Sequence, residues 1–253
     1  AWRAEAPTLL EAAIRLSQVL GATLMMPGNV YNFGESMPPL LREDTAQAAL
    51  GVKGRIRIAM EQRLEAATQD GSLRAVVIRA GDFFGSGTGS WLDQAIAKDL
   101  ARGRVTWPGP LDTATPWAYL PDLARTFVKV AQQRSRLDAF ARLHFAGHTV
   151  TGQQWVDALA SLAWEQGWLP QGGALRVSTM PWPLLRVAGL FVPTLAALAE
   201  MRYLWRTPHQ LDNRALCALI GEEPRTAFDD AVRQALQDLA LLAAPPLAAT
   251  AAV

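Results

Sequence analysis

The feature that most constrains the fold is a repeated alternation of a helix with a short, uninterrupted apolar run. Residues 7–20 have apolar side chains at helical spacing and lead into ATLMM at residues 22–26. Residues 54–69 repeat the helical pattern, and LRAVVIRAG follows at residues 73–81. Strands that are covered on both faces are apolar throughout, so the runs indicate a parallel sheet. We therefore predict an α/β fold in which these two strands are parallel neighbours.

Both apolar runs end in irregular segments. The first is a long loop over residues 27–50 that begins Pro-Gly-Asn, and the second, over residues 80–90, contains DFFGSGTG. Parallel sheets bind ligands in the crevice beyond the carboxyl ends of their strands. Loops as long as the first are usually functional in a compact domain. We predict that the functional site lies between these two loops.

The composition argues against several classes of protein. Half of the 253 residues are hydrophobic, and the formal net charge of +1 comes without the basic block that nucleic-acid binding favours. The single cysteine, Cys217, excludes a disulfide framework and favours a reducing, cytoplasmic location. The most apolar stretch, residues 187–199, is shorter than the roughly 18 residues of a membrane span. We expect a small-molecule substrate, no nucleic acid and no membrane span, and we leave a homodimer open.

The alternation loosens after residue 90. Asp122 follows a proline and is predicted to cap a helix, and Thr151 is predicted to cap another. Helices are predicted over residues 90–103, 117–133, 151–167, 211–221 and 226–242. Short strands are predicted over residues 104–109, 142–147 and 175–182.

Three segments, taken in order, carry a resemblance to a known family. They are NVYNFG at residues 29–34, VVIRAGDFFGSG at residues 76–87 and WAYLPDLARTFV at residues 117–128. They resemble the Val-Tyr-Gly segment after the fourth strand, the fifth strand with its following glycine loop, and the segment returning from the substrate lobe in extended short-chain dehydrogenases/reductases. The chain thus resembles an atypical member of that NAD-dependent epimerase/dehydratase family.

The resemblance implies a Rossmann-like parallel sheet that binds NAD or NADP, with a smaller, mostly helical C-terminal substrate lobe. Residues 1–90 would form the C-terminal half of the NAD(P)-binding domain. Residues 91–243 would form the lobe, with residues 112–148 returning to the sheet, and residues 244–253 a disordered tail. The implied activity is on a carbonyl or nucleotide-sugar-like substrate.

One departure from the family concerns the cofactor cradle. The family opens with a strand and a glycine-rich turn whose amides hold the pyrophosphate. No such motif follows a strand here, and Gly85, Gly87 and Gly89 come too late in the chain. We expect that roughly 70–80 N-terminal residues, two or three βα units, are absent and that the sheet is incomplete. This chain alone should then bind a dinucleotide poorly.

The second departure concerns the proton relay. Family enzymes use a serine or threonine at the end of the fourth strand, and a Tyr-x-x-x-Lys pair whose lysine lowers the tyrosine pKa. Here the serine position falls near Pro27 or Gly28, and the pair falls on Lys53 and Arg57. Arginine keeps its proton and cannot act as a base. The usual relay is therefore not visible.

The candidate site residues follow from these positions. We predict that Tyr31 and Lys53 are catalytic and that no metal is bound, because His144 and His148 are too few ligands. The predicted cofactor-binding residues are Pro27, Gly28, Asn29, Lys53, Arg57, Ala80 and Gly81. The predicted substrate-binding residues are Asn32, Asp82, Phe83 and Tyr119.

Structural roles stay open for most of these side chains. Tyr31 is also consistent with a packing role beside the nicotinamide position. Asn29 and Asn32 are also consistent with hydrogen bonds to the local backbone, and Asp82 with capping of its loop. At the level of the protein, three hypotheses remain. The chain is an NAD(P)-dependent enzyme, a non-catalytic dinucleotide sensor on the same fold, or an interaction protein that uses residues 181–205.

Overall fold

A computed structural model describes residues 2–170 and 172–242; the predicted tail at residues 244–253 lies outside these ranges. The helices are α1 Trp2–Leu20, α2 Val52–Ala66, α3 Leu120–Gln132, α4 Gly152–Glu165, α5 Trp182–Ala188, α6 Pro193–Glu200, α7 Arg214–Ile220 and α8 Phe228–Asp238. The strands are β1 Thr23–Asn29, β2 Leu40–Leu41, β3 Arg74–Ala80, β4 Asp82–Phe84, β5 Arg104–Trp107, β6 Ala114–Tyr119, β7 Phe140–His144, β8 His148–Thr151, β9 Arg176–Thr179 and β10 Gln210–Leu211.

The main sheet has three parallel strands in the order β1-β3-β7. Met25 pairs with Val76 and Met26 with Val77, so the two apolar runs are parallel neighbours as predicted. On the other side of β3, Ile78 pairs with Leu143 of β7. The chain thus passes through part of the lobe after β3 and returns to the main sheet at β7.

Helices cover both faces of this sheet, which explains why β3 is apolar throughout. On one face, Leu10 of α1 and Leu64 of α2 pack against Val77. On the other face, Leu123 of α3 and Leu216 of α7 pack in the cluster that contains Ile78. Successive strand residues point to opposite faces, so a strand between two helical layers needs apolar side chains at every position.

The lobe contains a separate core rich in aromatic side chains. Trp117 lies at its centre, with ring centroids 4.7 Å from Trp155 and 5.4 Å from Trp205. A second sheet, β4-β6-β8, borders this core, with β4 parallel and β8 antiparallel to β6. Two small parallel pairs, β5-β9 and β2-β10, complete the strand pairing. The fold is a Rossmann-like α/β sheet joined to a smaller, mostly helical C-terminal lobe.

Several local expectations are corrected by the structure. The helix predicted over residues 90–103 is replaced by a π-helical turn at Leu92–Ile96 and a 3-10 turn at Leu100–Arg102. The glycine-rich loop after β3 begins with β4, because a strand there can pair with β6. The helix predicted from Pro7 begins at Trp2.

The two predicted caps have different outcomes. Thr151 forms a capping box with Gln154 at the start of α4, as predicted. Asp122 lies within the first turn of α3 and does not cap that helix. Its carboxylate instead accepts hydrogen bonds from the backbone N–H of Thr226 at 2.7 Å and from the Thr226 hydroxyl at 3.0 Å. Asp122 therefore ties α3 to the segment that precedes α8.

A buried ion pair joins the sheet to α2. The Arg79 guanidinium of β3 donates to both carboxylate oxygens of Glu61, at 3.1 and 2.6 Å, and both side chains are almost fully buried. Asn32 donates to the same carboxylate at 2.8 Å. His144 of β7 lies 3.3 Å from Arg79, and burial together with the arginine charge lowers the pKa of His144 to about 4. These residues form one connected polar network inside an apolar core.

We expect Arg79→Met to lower the free energy of unfolding by about 3–5 kcal/mol, because it leaves the Glu61 carboxylate buried without its main partner. The double variant Arg79→Met/Glu61→Met should recover much of that loss. Urea denaturation of the three proteins measures both effects. As a control, Arg63→Met removes an exposed bridge to Glu11 and should cost less than about 1 kcal/mol. Additive losses in the double variant would contradict this account.

Candidate functional site

A cavity of about 610 Å³ lies beyond the carboxyl ends of β1 and β3, where the sheet meets the lobe. Its sheet side is lined by Tyr31, Lys53, Asp82 and Phe83, which come from the two loops and the start of α2. Its lobe side is lined by Trp91, Gln94, Lys98, Asp99, Thr106, Met180, Leu198 and Met201, among others. The location agrees with the expectation for parallel sheets.

Local backbone contacts position Tyr31 at the end of β1. The Asn29 side-chain oxygen accepts a hydrogen bond from the Tyr31 backbone N–H at 3.1 Å, a turn that asparagine favours. A 3-10 turn, Tyr31–Phe33, follows directly. The Tyr203 hydroxyl donates to the Tyr31 carbonyl oxygen at 3.4 Å and links this turn to the lobe. The Asn29 side chain therefore bonds the backbone two residues further on and orients the turn that carries Tyr31.

The phenol of Tyr31 keeps its proton in this environment. Burial raises the pKa of Tyr31 well above its ordinary value, and the nearby Asp82 charge raises it further, while Arg57 opposes the shift. A tyrosine whose pKa is raised acts as a hydrogen-bond donor at neutral pH. It is a poor acceptor of protons under those conditions.

Asp82 is the group in the cavity that titrates near neutrality. Burial raises the pKa of its carboxyl group to about 7. Its charge also raises the pKa values of Tyr31 and Tyr203, which places both phenols close to it. Within the part of the chain that the structure describes, no group donates a hydrogen bond to the Asp82 carboxylate. Nothing therefore compensates for the loss of water around its charge.

Cations reach the same region from α2. Lys53 and Arg57 are four residues apart, so they lie on one face of this helix. Burial lowers the pKa of Lys53, and the Glu200 charge acts in the opposite direction. Arg57 donates to the Pro27 carbonyl oxygen at the end of β1, over 3.4 Å. Arg57 thus contacts the end of β1, and Lys53 lines the cavity.

Gly28, Ala80 and Gly81, which we predicted to bind the cofactor, pack against protein atoms. A Cβ on Gly28 would lie 2.8 Å from the Arg79 Cγ, and one on Gly81 would overlap the Pro116 carbonyl oxygen. Ala80 is fully buried in the cluster between the sheet and α3. The small size of these three residues thus serves close packing. Pro27 is exposed and is available to a ligand at the strand end.

Two residues that we predicted to bind substrate also point elsewhere. Asn32 is fully buried, and its amide donates to Glu61 and to Gln47 rather than facing the cavity. Tyr119 is 4% exposed and stacks on Phe84, with ring centroids 5.3 Å apart. Both are packed within the protein, and only Asp82 and Phe83 of the predicted substrate set line the cavity.

The lobe residues at the cavity are not apparent from the sequence. Lys98, which lines the cavity, lies in a segment that the sequence pattern predicts as an ordinary helix, and Glu200, at the end of α6, contacts the start of α2. Glu200 accepts a hydrogen bond from the Lys53 backbone N–H at 3.2 Å, although 147 residues separate the two. No local pattern signals a contact over such a separation. The missed residues follow only from the docking of the lobe.

The described residues fit a nicotinamide dinucleotide at one end only. Lys53 in the cavity and Arg57 beside Pro27 supply two cationic hydrogen-bond donors near the end of β1, a donor set that suits ribose hydroxyl groups. Within residues 2–170 and 172–242, no strand leads through a glycine-rich turn into the start of an α-helix. The pyrophosphate cradle is therefore not among the described residues.

Two other features are absent from residues 2–170 and 172–242. No helix there is long and apolar enough to cross a membrane. No group of histidine, cysteine, aspartate and glutamate side chains there is placed to hold a metal ion.

Comparison with known proteins supports the fold. No family model matches the sequence, and no curated protein matches it. The structure is similar to MoeE5 in complex with UDP-glucose and NAD, with a TM-score of 0.66, 16% identity, and coverage of 92% of this chain and 70% of that one.

Two further solved structures show similar agreement. UDP-glucuronic acid 4-epimerase from Bacillus cereus in complex with NAD gives a TM-score of 0.70 at 11% identity, over 94% of this chain and 68% of that one. L-threonine dehydrogenase from Phytophthora infestans gives a TM-score of 0.68 at 14% identity, over 92% of this chain and 70% of that one. At these identities the similarity shows a shared fold. The chain therefore shares its fold with these three proteins.

We predict that Asp82→Asn stabilises the protein at pH 8 and has little effect at pH 4. A carboxyl group whose folded pKa is about 7 favours folding fully only below its unfolded pKa of about 3.9, and that contribution disappears as the pH rises to 7. Thermal unfolding from pH 4 to pH 8 measures the difference. Asp157→Asn, which removes the same charge at an exposed position on α4, is the control. A pH-independent difference for Asp82→Asn would contradict the assignment.

Proposed function

We propose that this protein is an NAD(P)-dependent oxidoreductase or epimerase that acts on a carbonyl or hydroxyl compound bearing an anionic group, such as a nucleotide sugar. The observation that carries the proposal is the cavity at the carboxyl ends of β1 and β3, which combines Asp82, Tyr31 and Lys53. Such cavities, with a few convergent polar groups and a perturbed pKa, are typical of enzyme sites.

The charges around the cavity support an anionic substrate. Lys53 lines one side, and Lys98 lines the other. Of the carboxylates, Asp99 is paired with Arg102 at 3.1 Å, and Asp82 is half protonated at a pH of about 7. The two lysines are the cationic side chains among the described residues that line the cavity. A phosphate or carboxylate group would be attracted by both lysines.

The cofactor in this proposal is NAD or NADP, which when bound supplies or takes up a hydride. Lys53 and Arg57 are the residues of this chain that would hold its ribose end, beside the Pro27 carbonyl. The Tyr31 phenol would donate a hydrogen bond to the reacting oxygen of the substrate. Several proteins of the same fold support this choice, since their structures contain NAD or NADPH, and two structures of one of them, MoeE5, also contain UDP-glucose or UDP-glucuronic acid.

The test uses the natural gene product and a panel of carbonyl and nucleotide-sugar substrates with NADH and NADPH. We expect saturable cofactor binding by calorimetry, and turnover followed by absorbance at the nicotinamide band. Tight cofactor binding without turnover on any substrate would favour the non-catalytic sensor. Failure to bind either dinucleotide would refute both hypotheses.

We expect Lys53→Met and Lys98→Met each to weaken binding of anionic substrates about 10- to 100-fold, because each removes a charge-assisted contact. Steady-state KM values measure the effect. Lys129→Met is the matched control, because this third lysine lies on α3 and donates to the Glu222 carbonyl oxygen. Uncharged substrates should respond weakly to the Lys98 substitution. An equal loss for charged and uncharged substrates would contradict the proposed anion specificity.

A further inference from the structure

We propose that the Asp82 carboxyl group, rather than a tyrosine, exchanges the proton with the substrate oxygen in this cavity. The proposal rests on the proposed oxidoreductase function and names the acid–base group that such a reaction needs. In the family that the chain resembles, a tyrosine performs this step. Here Lys53 occupies the position of that tyrosine, and Arg57 occupies the position of its lysine.

The backbone around Asp82 holds its side chain at the cavity. Asp82 is the first residue of β4, directly after Gly81, and pairs with Trp117 of β6. Gly81 has no side chain, so it can approach the Pro116 backbone closely at the junction of the two sheets. The Asp82 carboxyl is thus carried by a paired strand rather than by a free loop. A group that transfers protons must be held in a defined place in this way.

The other candidate groups are less suited to proton exchange. Arg57 retains its proton at any useful pH. Tyr31 keeps its proton because burial and the Asp82 charge both raise its pKa. The pKa of Asp82, about 7, lies in the range where a group can both accept and release protons efficiently. The phenol and the carboxyl thus have separate roles: the first holds the substrate oxygen, and the second moves the proton.

Charged and titratable groups reach Asp82 from several elements. Tyr31 comes from the turn after β1, Tyr203 from the 3-10 turn after α6, and Lys53 from α2. Lys98 and Asp99 line the cavity from the segment before β5. Burial alone accounts for the raised pKa of Asp82, and an anionic substrate bound beside this carboxyl group should raise its pKa further.

In oxidation, the hydroxyl proton of the substrate alcohol passes to the Asp82 carboxylate. A bound NAD(P)⁺ would take up the hydrogen of the same carbon with its electron pair, so that the C–O single bond becomes a C=O bond. In reduction, the protonated Asp82 returns the proton to the carbonyl oxygen, and a bound NAD(P)H would supply the hydride to the carbon. Asp82 must therefore be ionised for oxidation and protonated for reduction.

The first test is a titration that needs no turnover. With aspartate labelled at the carboxyl carbon with ¹³C, the resonance absent from Asp82→Asn identifies Asp82. We expect that resonance to titrate in the natural protein with a pKa of about 7. A resonance that titrates near 4, as exposed aspartates do at about 3.9, would overturn the proposal whatever the activity.

The second test is the pH dependence of kcat. In the natural protein, kcat for oxidation should increase and kcat for reduction should decrease as the pH rises through the Asp82 pKa. Asp82→Asn should lower kcat about 10²- to 10⁴-fold and abolish that pH dependence. Asp82→Glu should restore part of the rate with a shifted profile, and Asp157→Asn should change neither. If Asp82→Asn does not fold, the pH profile of kcat for Asp82→Glu tests the proposal instead. A profile identical to that of the natural protein would then contradict the role of Asp82.

The outcomes distinguish this inference from the proposed function. A natural protein that binds no dinucleotide refutes the function and, with it, this step. Turnover in Asp82→Asn within tenfold of the natural rate, with its pH dependence intact, leaves the function standing and refutes the role of Asp82. In that case Lys53→Met identifies whether the lysine exchanges the proton instead.

Discussion

The ion pair between Arg79 and Glu61 is the contact on which the arrangement of the site depends. It joins β3 to α2 inside the core, where Asn32 from the loop after β1 and His144 from β7 also contact it. Removing two charges from water is costly, so the pair is stable only because nearly every polar atom in the network has a partner. That requirement makes the relative position of these four segments specific.

The ion pair also determines where α2 places its side chains at the cavity. Glu61 lies four and eight residues after Arg57 and Lys53, so the helix face that meets Arg79 continues toward both cations. Anchoring that face to β3 directs Arg57 to the Pro27 carbonyl and Lys53 into the cavity. Asn32 does the same for the turn that carries Tyr31. A polar network in the core thereby positions polar groups at the surface of the sheet.

The electrostatics of the cavity differ from those that the family relay needs. There, a lysine beside a tyrosine makes the phenol acidic enough to exchange a proton. Here, an aspartate beside Tyr31 has the opposite effect on the phenol, and burial raises the pKa of the aspartate itself toward neutrality. Burial affects both groups: it keeps the Tyr31 phenol protonated, and it brings the pKa of the Asp82 carboxyl group into the neutral range. The charge of ionised Asp82 then raises the pKa of Tyr31 further.

The sequence alone determined the α/β class and the parallel pairing of β1 with β3, because periodicity and burial on both faces are local patterns. It also singled out Tyr31, Lys53, Asp82 and Phe83 from strand ends and helix starts, and all four line the cavity beyond those strands. It did not determine that Asn32, Tyr119 and the small residues Gly28 and Gly81 pack inward, nor that Lys98 lines the cavity and Glu200 contacts Lys53. Those facts depend on contacts between residues far apart in the chain. Contacts with β3 and α2 decide the packing of Gly28 and Asn32, whereas the docking of the lobe on the sheet decides the positions of Lys98 and Glu200, because the cavity is lined from both sides.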